Sequence, residues 1–265
     1  MLAEQVAVTM EKPNIIPLLR WEDQAGTVFG LPQAAKLESA LELNPLFPFT
    51  ASRAITDLEL LIPPEFIDTC IGGVYLDGKK LQPAGTTEIF DDPYLVYPFD
   101  VAEGKHTVEL KLIAEVASQE RLYLRGNFGA QIAVDPDRLR YFNPRLSEKT
   151  ELTLTQAPAE LRTDRSWTEQ GYPFYSGCVR YEFKLDIPED FTHSDLVLPS
   201  VGDGVKVYLD GELLDTGIYA PYRFPLHTTA GKHRLALEVC NTFGNMFSGF
   251  CQRSGLLQTP YLELR

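Results

Sequence analysis

The sequence has no apolar run approaching the roughly 20 residues of a transmembrane helix. Cations are scarce beside anions, 24 Lys and Arg against 37 Asp and Glu. The resulting net charge of −13 repels phosphate backbones and anionic lipid, so neither nucleic acid nor membrane is expected as a partner. The start, Met1 to Lys12, lacks a basic flank and an apolar signal core. A cytoplasmic protein, or a piece of a longer chain, is the expectation. Cysteine and histidine are few, four of each. None of Cys70, Cys178, Cys240 and Cys251 forms a Cys-x-x-Cys, and three of the histidines sit beside Lys or Thr in turn-like sequence, so zinc-site spacing is absent. The cysteines read as small buried or half-buried thiols, with a Cys240–Cys251 pair across a hairpin left open. No Gly-x-Ser-x-Gly, no P-loop and no dinucleotide fingerprint occurs, which removes the common sequence signatures of catalysis.

What is present is an ordinary globular composition. Over 265 residues, 44% are apolar and 23% charged, which excludes wholesale disorder. A chain of this length buries about 70–75% of its unfolded surface and requires no disulfide or metal for stability. Short runs alternate apolar with polar residues, among them His106-Thr-Val-Glu-Leu-Lys-Leu112, Val179-Arg-Tyr-Glu-Phe-Lys-Leu185 and His233-Arg-Leu-Ala-Leu-Glu-Val239. Period two with one apolar face is the pattern of a strand packed on one side. Asp-Gly, Glu-Gly and Ala-Gly turns between the runs point to sandwiches rather than βαβ units. One helix is predicted, starting at Pro32, carrying Ala34, Ala35, Leu37, Ala40 and Leu41, and ending at Asn44-Pro45.

An internal repeat sharpens this reading. Val74-Tyr-Leu-Asp-Gly78 recurs as Val207-Tyr-Leu-Asp-Gly211, 133 residues later. Asp57-Leu-Glu-Leu60 answers Asp195-Leu-Val-Leu198, and Gly104-Lys-His106 answers Gly231-Lys-His233. Asp-Gly after an alternating strand is a type I′ hairpin signal, because both central residues need positive φ. The chain therefore reads as all-β, two tandem antiparallel jelly-roll sandwiches with one short helix. The boundary is expected near residue 140, giving 1–140 with the N-terminal extension and helix, and 141–265.

The segment Trp167-Thr-Glu-Gln-Gly-Tyr-Pro-Phe-Tyr-Ser-Gly-Cys-Val-Arg-Tyr-Glu-Phe183 resembles galactose-binding-like β-sandwiches of large bacterial glycoside hydrolases, of the family 2 sugar-binding type also met in α-L-rhamnosidases. Ala220-Pro-Tyr-Arg-Phe224, Ala230-Gly-Lys-His-Arg-Leu and Asn241-Thr-Phe-Gly-Asn245 follow in the order of that domain. Glu120 to Gly129 is similar to the end of the preceding sandwich, with Gly126-Asn-Phe-Gly129 where the family carries Gly-Asp-Phe-Gly. The resemblance spans about residues 45–265 and includes no counterpart of the catalytic barrel. It implies an accessory region and supplies no catalytic residue.

Two readings of the same residues stand side by side. In one, Gly171, Pro173 and Gly177 turn the chain onto a sheet edge, Phe174 plugs the sandwich, and Asn241 and Asn245 hold their own loop. In the other, Trp167, Tyr172, Tyr175, Tyr219, Tyr222 and Arg223 line a loop cluster that binds carbohydrate, with Asn241 and Asn245 contributing. Aromatic faces stack on sugar C–H faces, while amides and guanidinium forks bond hydroxyls. Asp203, Asp210 and Asp215 could hold a structural calcium of the kind the resemblance implies, although no EF-hand pattern exists and turn aspartates are ordinarily solvated. No other cofactor is expected. Paired carboxylates suitable for glycoside hydrolysis cannot be picked from so acidic a chain.

The expected function is non-catalytic recognition of an oligo- or polysaccharide, or accessory service to a glycoside-hydrolase domain or subunit. Three alternatives remain: a fragment or subunit of an actual glycosidase, a purely structural pair of sandwiches, and a protein-interaction module on the same fold.

Overall fold

The computed structural model describes residues 4–18, 36–43, 46–63, 72–89, 91–116, 122–133, 151–248 and 252–265. The chain opens with strands β1 (Glu4–Met10), β2 (Asn14–Pro17), β3 (Lys36–Leu43), β4 (Leu46–Ala51) and β5 (Ile55–Ile62). Next come β6 (Gly73–Leu76), β7 (Lys79–Lys80), β8 (Gly85–Ile89), β9 (Asp92–Val101) and β10 (Gly104–Val116). These are followed by β11 (Tyr123–Gly126), β12 (Gly129–Ala133), β13 (Glu151–Thr155), β14 (Cys178–Ile187) and β15 (His193–Leu198). The last are β16 (Gly204–Leu209), β17 (Glu212–Gly217), β18 (Tyr222–His227), β19 (Gly231–Cys240), helix α1 (Gly244–Ser248) and β20 (Tyr261–Leu264). The protein is all-β, and among the described residues no helix is long and apolar enough to cross a membrane.

Two compact units result. The C-terminal unit comprises residues 1–13, 158–247 and 251–265. It packs a five-stranded sheet, β1-β14-β19-β16-β17, against a three-stranded sheet, β18-β15-β20. Burial along β14 alternates, so Val179, Tyr181, Phe183, Leu185 and Ile187 face inward. They meet Leu196 and Leu198 of β15, Phe224 and Leu226 of β18, and Leu235, Leu237 and Val239 of β19 in one core. The strand β1 belongs here because it pairs with β14 across Glu4↔Lys184 to Met10↔Val179. The N-terminal extension thus joins the C-terminal sandwich, whereas the sequence had grouped it with the first.

The other unit, residues 14–157 and 248–250, carries the sheets β2-β11-β5-β9-β8 and β12-β13-β4-β10-β6-β7, with β3 also on β10. The repeat is visible in its topology. The order β4-β10-β6-β7 matches β14-β19-β16-β17, and β11-β5-β9 matches β20-β15-β18. Asp77-Gly78 (φ 50° and 79°) closes β6–β7 as Asp210-Gly211 (φ 52° and 90°) closes β16–β17. Positive φ at both central residues is the type I′ geometry that Asp-Gly predicts. The boundary expected near residue 140 lies outside the described residues.

Two expectations are corrected. The helix predicted over Pro32–Asn44 is, in its described part, strand β3, paired with β10 across Leu43↔Leu112 and Leu41↔Ala114. Leu37 and Leu41, four residues apart, satisfy both a helical stripe and a period of two, and strand pairing decides between them. Cys240 is bonded to Cys178, so these two are not the free thiols expected, and the pair left open with Cys251 is not the one formed. The two residues are directly opposite each other where β14 begins and β19 ends, 62 residues apart in sequence. Cys70 and Cys251 lie outside the described residues.

Candidate carbohydrate-binding surface

The C-terminal sandwich has two ends, defined by the register of β14 and β19. At one, Cys178 meets Cys240 and β16 begins at Gly204; at the other, Ile187 meets Gly231 and β16 ends beside Asp210. The loops singled out in the sequence gather at the first end. Ser166 starts a 3₁₀ turn over Trp167–Glu169, its hydroxyl accepting from the Thr168 N–H. The Tyr172 N–H then donates to the Trp167 carbonyl, and the Tyr175 N–H to the Tyr172 carbonyl. This tight winding turns three rings inward. Trp167 and Tyr175 contact edge-on at 5.9 Å, and Tyr172 meets Tyr175 at 6.2 Å.

All three rings are buried, Trp167 completely. A ring without accessible surface offers no face to a sugar, so these residues close the sandwich as Phe174 does. Desolvation raises the Tyr175 hydroxyl to about 12. Asn241 accepts from the Gly177 N–H at 2.8 Å and donates to the Tyr175 carbonyl at 2.8 Å. Asn245, also buried, donates to the Gln252 carbonyl and accepts from the Gln252 N–H. Both amides are engaged in holding loops together.

The remaining three residues divide. Arg223 lies on the outer face of the three-stranded sheet, ion-paired with Asp195 at 3.0 Å and with Glu263. Asp195 also takes Arg265 at 2.6 Å, and these guanidinium groups hold its carboxyl below the usual range. Tyr222, half-buried, places its hydroxyl 3.0 Å from the Asp203 carbonyl oxygen and 3.2 Å from that of Ile218. Tyr219 alone is free, with 85% of its surface exposed, next to Ile218 at 65%. Leu213 and Leu214 on edge strand β17 are exposed as well.

The three aspartates do not converge. Asp203 and Asp210 flank β16, about 23 Å apart at about 3.3 Å per strand residue. Asp210 bonds His233 and the Arg234 N–H, and Asp215 accepts from the Thr216 N–H. The Asp203 Oδ2 is buried, and desolvation lifts its carboxyl to about 6, opposed by hydrogen bonding from the Ser254 side chain and the Gly255 N–H.

The opposite end carries a cleft of about 840 Å³ that sequence reasoning missed, lined by Lys184, Lys232, Arg234 and Phe191 among others. It includes His233 and Asp210, a pair that resembles a catalytic dyad. The other unit contains its twin. His106 Nδ1 lies 2.7 Å from Asp77 and Nε2 lies 2.9 Å from the Ala102 carbonyl; His233 lies 2.7 Å from Asp210 and 2.9 Å from the Thr229 carbonyl. Both aspartates also accept a backbone N–H, from Thr107 and Arg234, at 2.8 Å. A constellation copied with the hairpin is part of the fold, with both ring nitrogens already engaged.

The chain matches no family model and no curated protein. Among solved structures it is similar to the rhamnosidase from Novosphingobium sp. PP1Y, at 20% identity over 86% of this chain and 22% of that one, with a TM-score of 0.33. It is similar to the GH2 beta-galacturonidase from Eisenbergiella tayi at 19% identity, covering 52% and 22%, TM-score 0.31. It is also similar to the Pleurotus ostreatus lectin, at 9% identity, covering 91% and 79%, TM-score 0.26. The chain spans about a fifth of the length of the two hydrolases.

Proposed function

We propose that this chain is a non-catalytic carbohydrate-recognition region, accessory to a glycoside hydrolase, in which Tyr219 is the ring on which a sugar stacks. The exposed Tyr219 ring carries the reading. It stands on the connection from β17 to β18, and that connection is tied down from beneath by the Tyr222 hydroxyl at the Ile218 carbonyl. A broad ring on an anchored turn gives a sugar's C–H face a partner at small ordering cost. The association with a hydrolase rests on the resemblance of residues 167–183 and 220–245.

A second reading, docking on a protein, is favoured by exposed apolar side chains along the edge of the sheet, Leu213 and Leu214 on edge strand β17 and Ile218 beside Tyr219, since exposed apolar surface marks interaction sites. A glycan array probed with wild type and Tyr219→Ala separates the two. Signals that vanish with the ring support sugar recognition. No signal from folded wild-type protein leaves the docking reading.

A further inference from the structure

Two of the four histidines are clipped to aspartates in the repeated hairpins, and the other two face each other. His193 of β15 is directly opposite His227 of β18, although 34 residues separate them and no zinc spacing is visible in the sequence. Both are exposed, and their rings lie 5.4 Å apart between centroids at 62°. We infer that this cross-strand pair is a surface site for a divalent transition-metal ion of the imidazole-preferring class, Zn²⁺, Ni²⁺ or Cu²⁺. The inference is independent of the sugar-binding reading.

Three observations support it. First, the spacing suits two ligands on one ion. Imidazole nitrogens stand about 1.1 Å from the ring centre, so nitrogens turned toward each other here come to about 3.2 Å; an ion bonded at about 2.0–2.1 Å to each spans separations up to about 4 Å. Second, the tautomer of His193 is set. The Thr192 hydroxyl donates to the Glu189 carbonyl at 3.0 Å, so toward His193 Nδ1, 3.3 Å away, its oxygen can only accept. Nδ1 therefore carries the proton and Nε2 keeps the lone pair that a metal requires, the outer-shell arrangement typical of histidine ligands. Third, the backbone beneath is fixed on both sides of the pair. The Thr228 N–H donates to the Thr192 carbonyl at 3.1 Å, and β15 is the central strand of its sheet. Imidazole ligation suits this class of ion, and the remaining coordination positions are open to water or to a donor from another molecule.

The test is a calorimetric titration of the untagged, full-length protein with ZnCl₂ and, separately, NiCl₂, with the disulfide intact and free thiols alkylated. One equivalent is expected to bind, with affinity at least ten-fold weaker in His193→Ala and in His227→Ala. His106→Gln, on a clipped histidine, is expected to bind as wild type does. Circular dichroism checks that each variant is folded. Absence of binding up to about 1 mM ion (a free energy of only about −4 kcal/mol), or equal binding by both alanine variants and wild type, overturns the assignment.

Discussion

Single residues show most clearly how packing decides what an aromatic motif does. Gly255, at φ +92°, presses against Trp167: a Cβ there would lie 2.6 Å from the indole Cε3 and 2.9 Å from the Tyr181 hydroxyl. Left-handed backbone without glycine costs about 1–2 kcal/mol, and overpacking a core about 1–3 more. Gly255→Ala should therefore lower unfolding stability by about 2–5 kcal/mol in a denaturant titration. Asp203 makes a pH prediction. Its folded value of about 6 lies above the unfolded carboxyl near 3.8, so the fold favours the neutral form. Its contribution is fully present below about pH 4 and is lost as pH rises through about 6. Asp203→Asn should gain on wild type between pH 4 and 7, as read from paired melts across that range. The candidate residues were legible in the sequence as residue types, but Tyr222 and Arg223, expected in a loop cluster, lie on strand β18. Their availability to a ligand was not legible, because Trp167 is covered by Gly255 and Arg223 is neutralised by Asp195 and Glu263, all distant in sequence.

At the scale of elements, the Asp-Gly hairpins were readable because two adjacent residues with positive φ have few alternatives to Asp-Gly. The clip that accompanies each hairpin was only half readable, since Gly-Lys-His lies more than twenty residues after its aspartate. In the C-terminal copy the Asp210 carboxylate raises the His233 imidazole, and the imidazolium lowers Asp210. The histidine's contribution is present below its unfolded value and lost as pH rises through its folded one; the aspartate's is present above its unfolded value and lost on acidification. The clip is thus strongest between roughly pH 4 and 6.5. By NMR, His233 should titrate above about 6.5, and Asp210→Asn should move it down toward that value. Strand β3 was misread because leucines spaced to fit a helix fit a strand equally well, and only β10 across the sheet decides. The disulfide closes a loop of 62 residues between β14 and β19. Its reduction should cost about 2–4 kcal/mol of stability, measured by melting with and without reductant.

At the scale of the whole molecule, a duplicated all-β fold is proposed to serve recognition rather than catalysis. The duplication was legible because three short motifs recur in order. The site was less so, because a surface forms from the ends of strands that the sequence does not juxtapose. Purified protein is expected to release no product from aryl glycosides; hydrolysis abolished by replacing a single carboxylate with its amide would contradict this. The most direct test of the central claim is a calorimetric titration of wild type and Tyr219→Ala with a panel of plant and bacterial oligosaccharides. The account predicts that at least one binds wild type with a dissociation constant of roughly 10 μM to 1 mM, as expected for a shallow site, and that Tyr219→Ala weakens it at least about ten-fold. Binding that is unchanged in folded Tyr219→Ala, or absent from wild type across the whole panel, would contradict it.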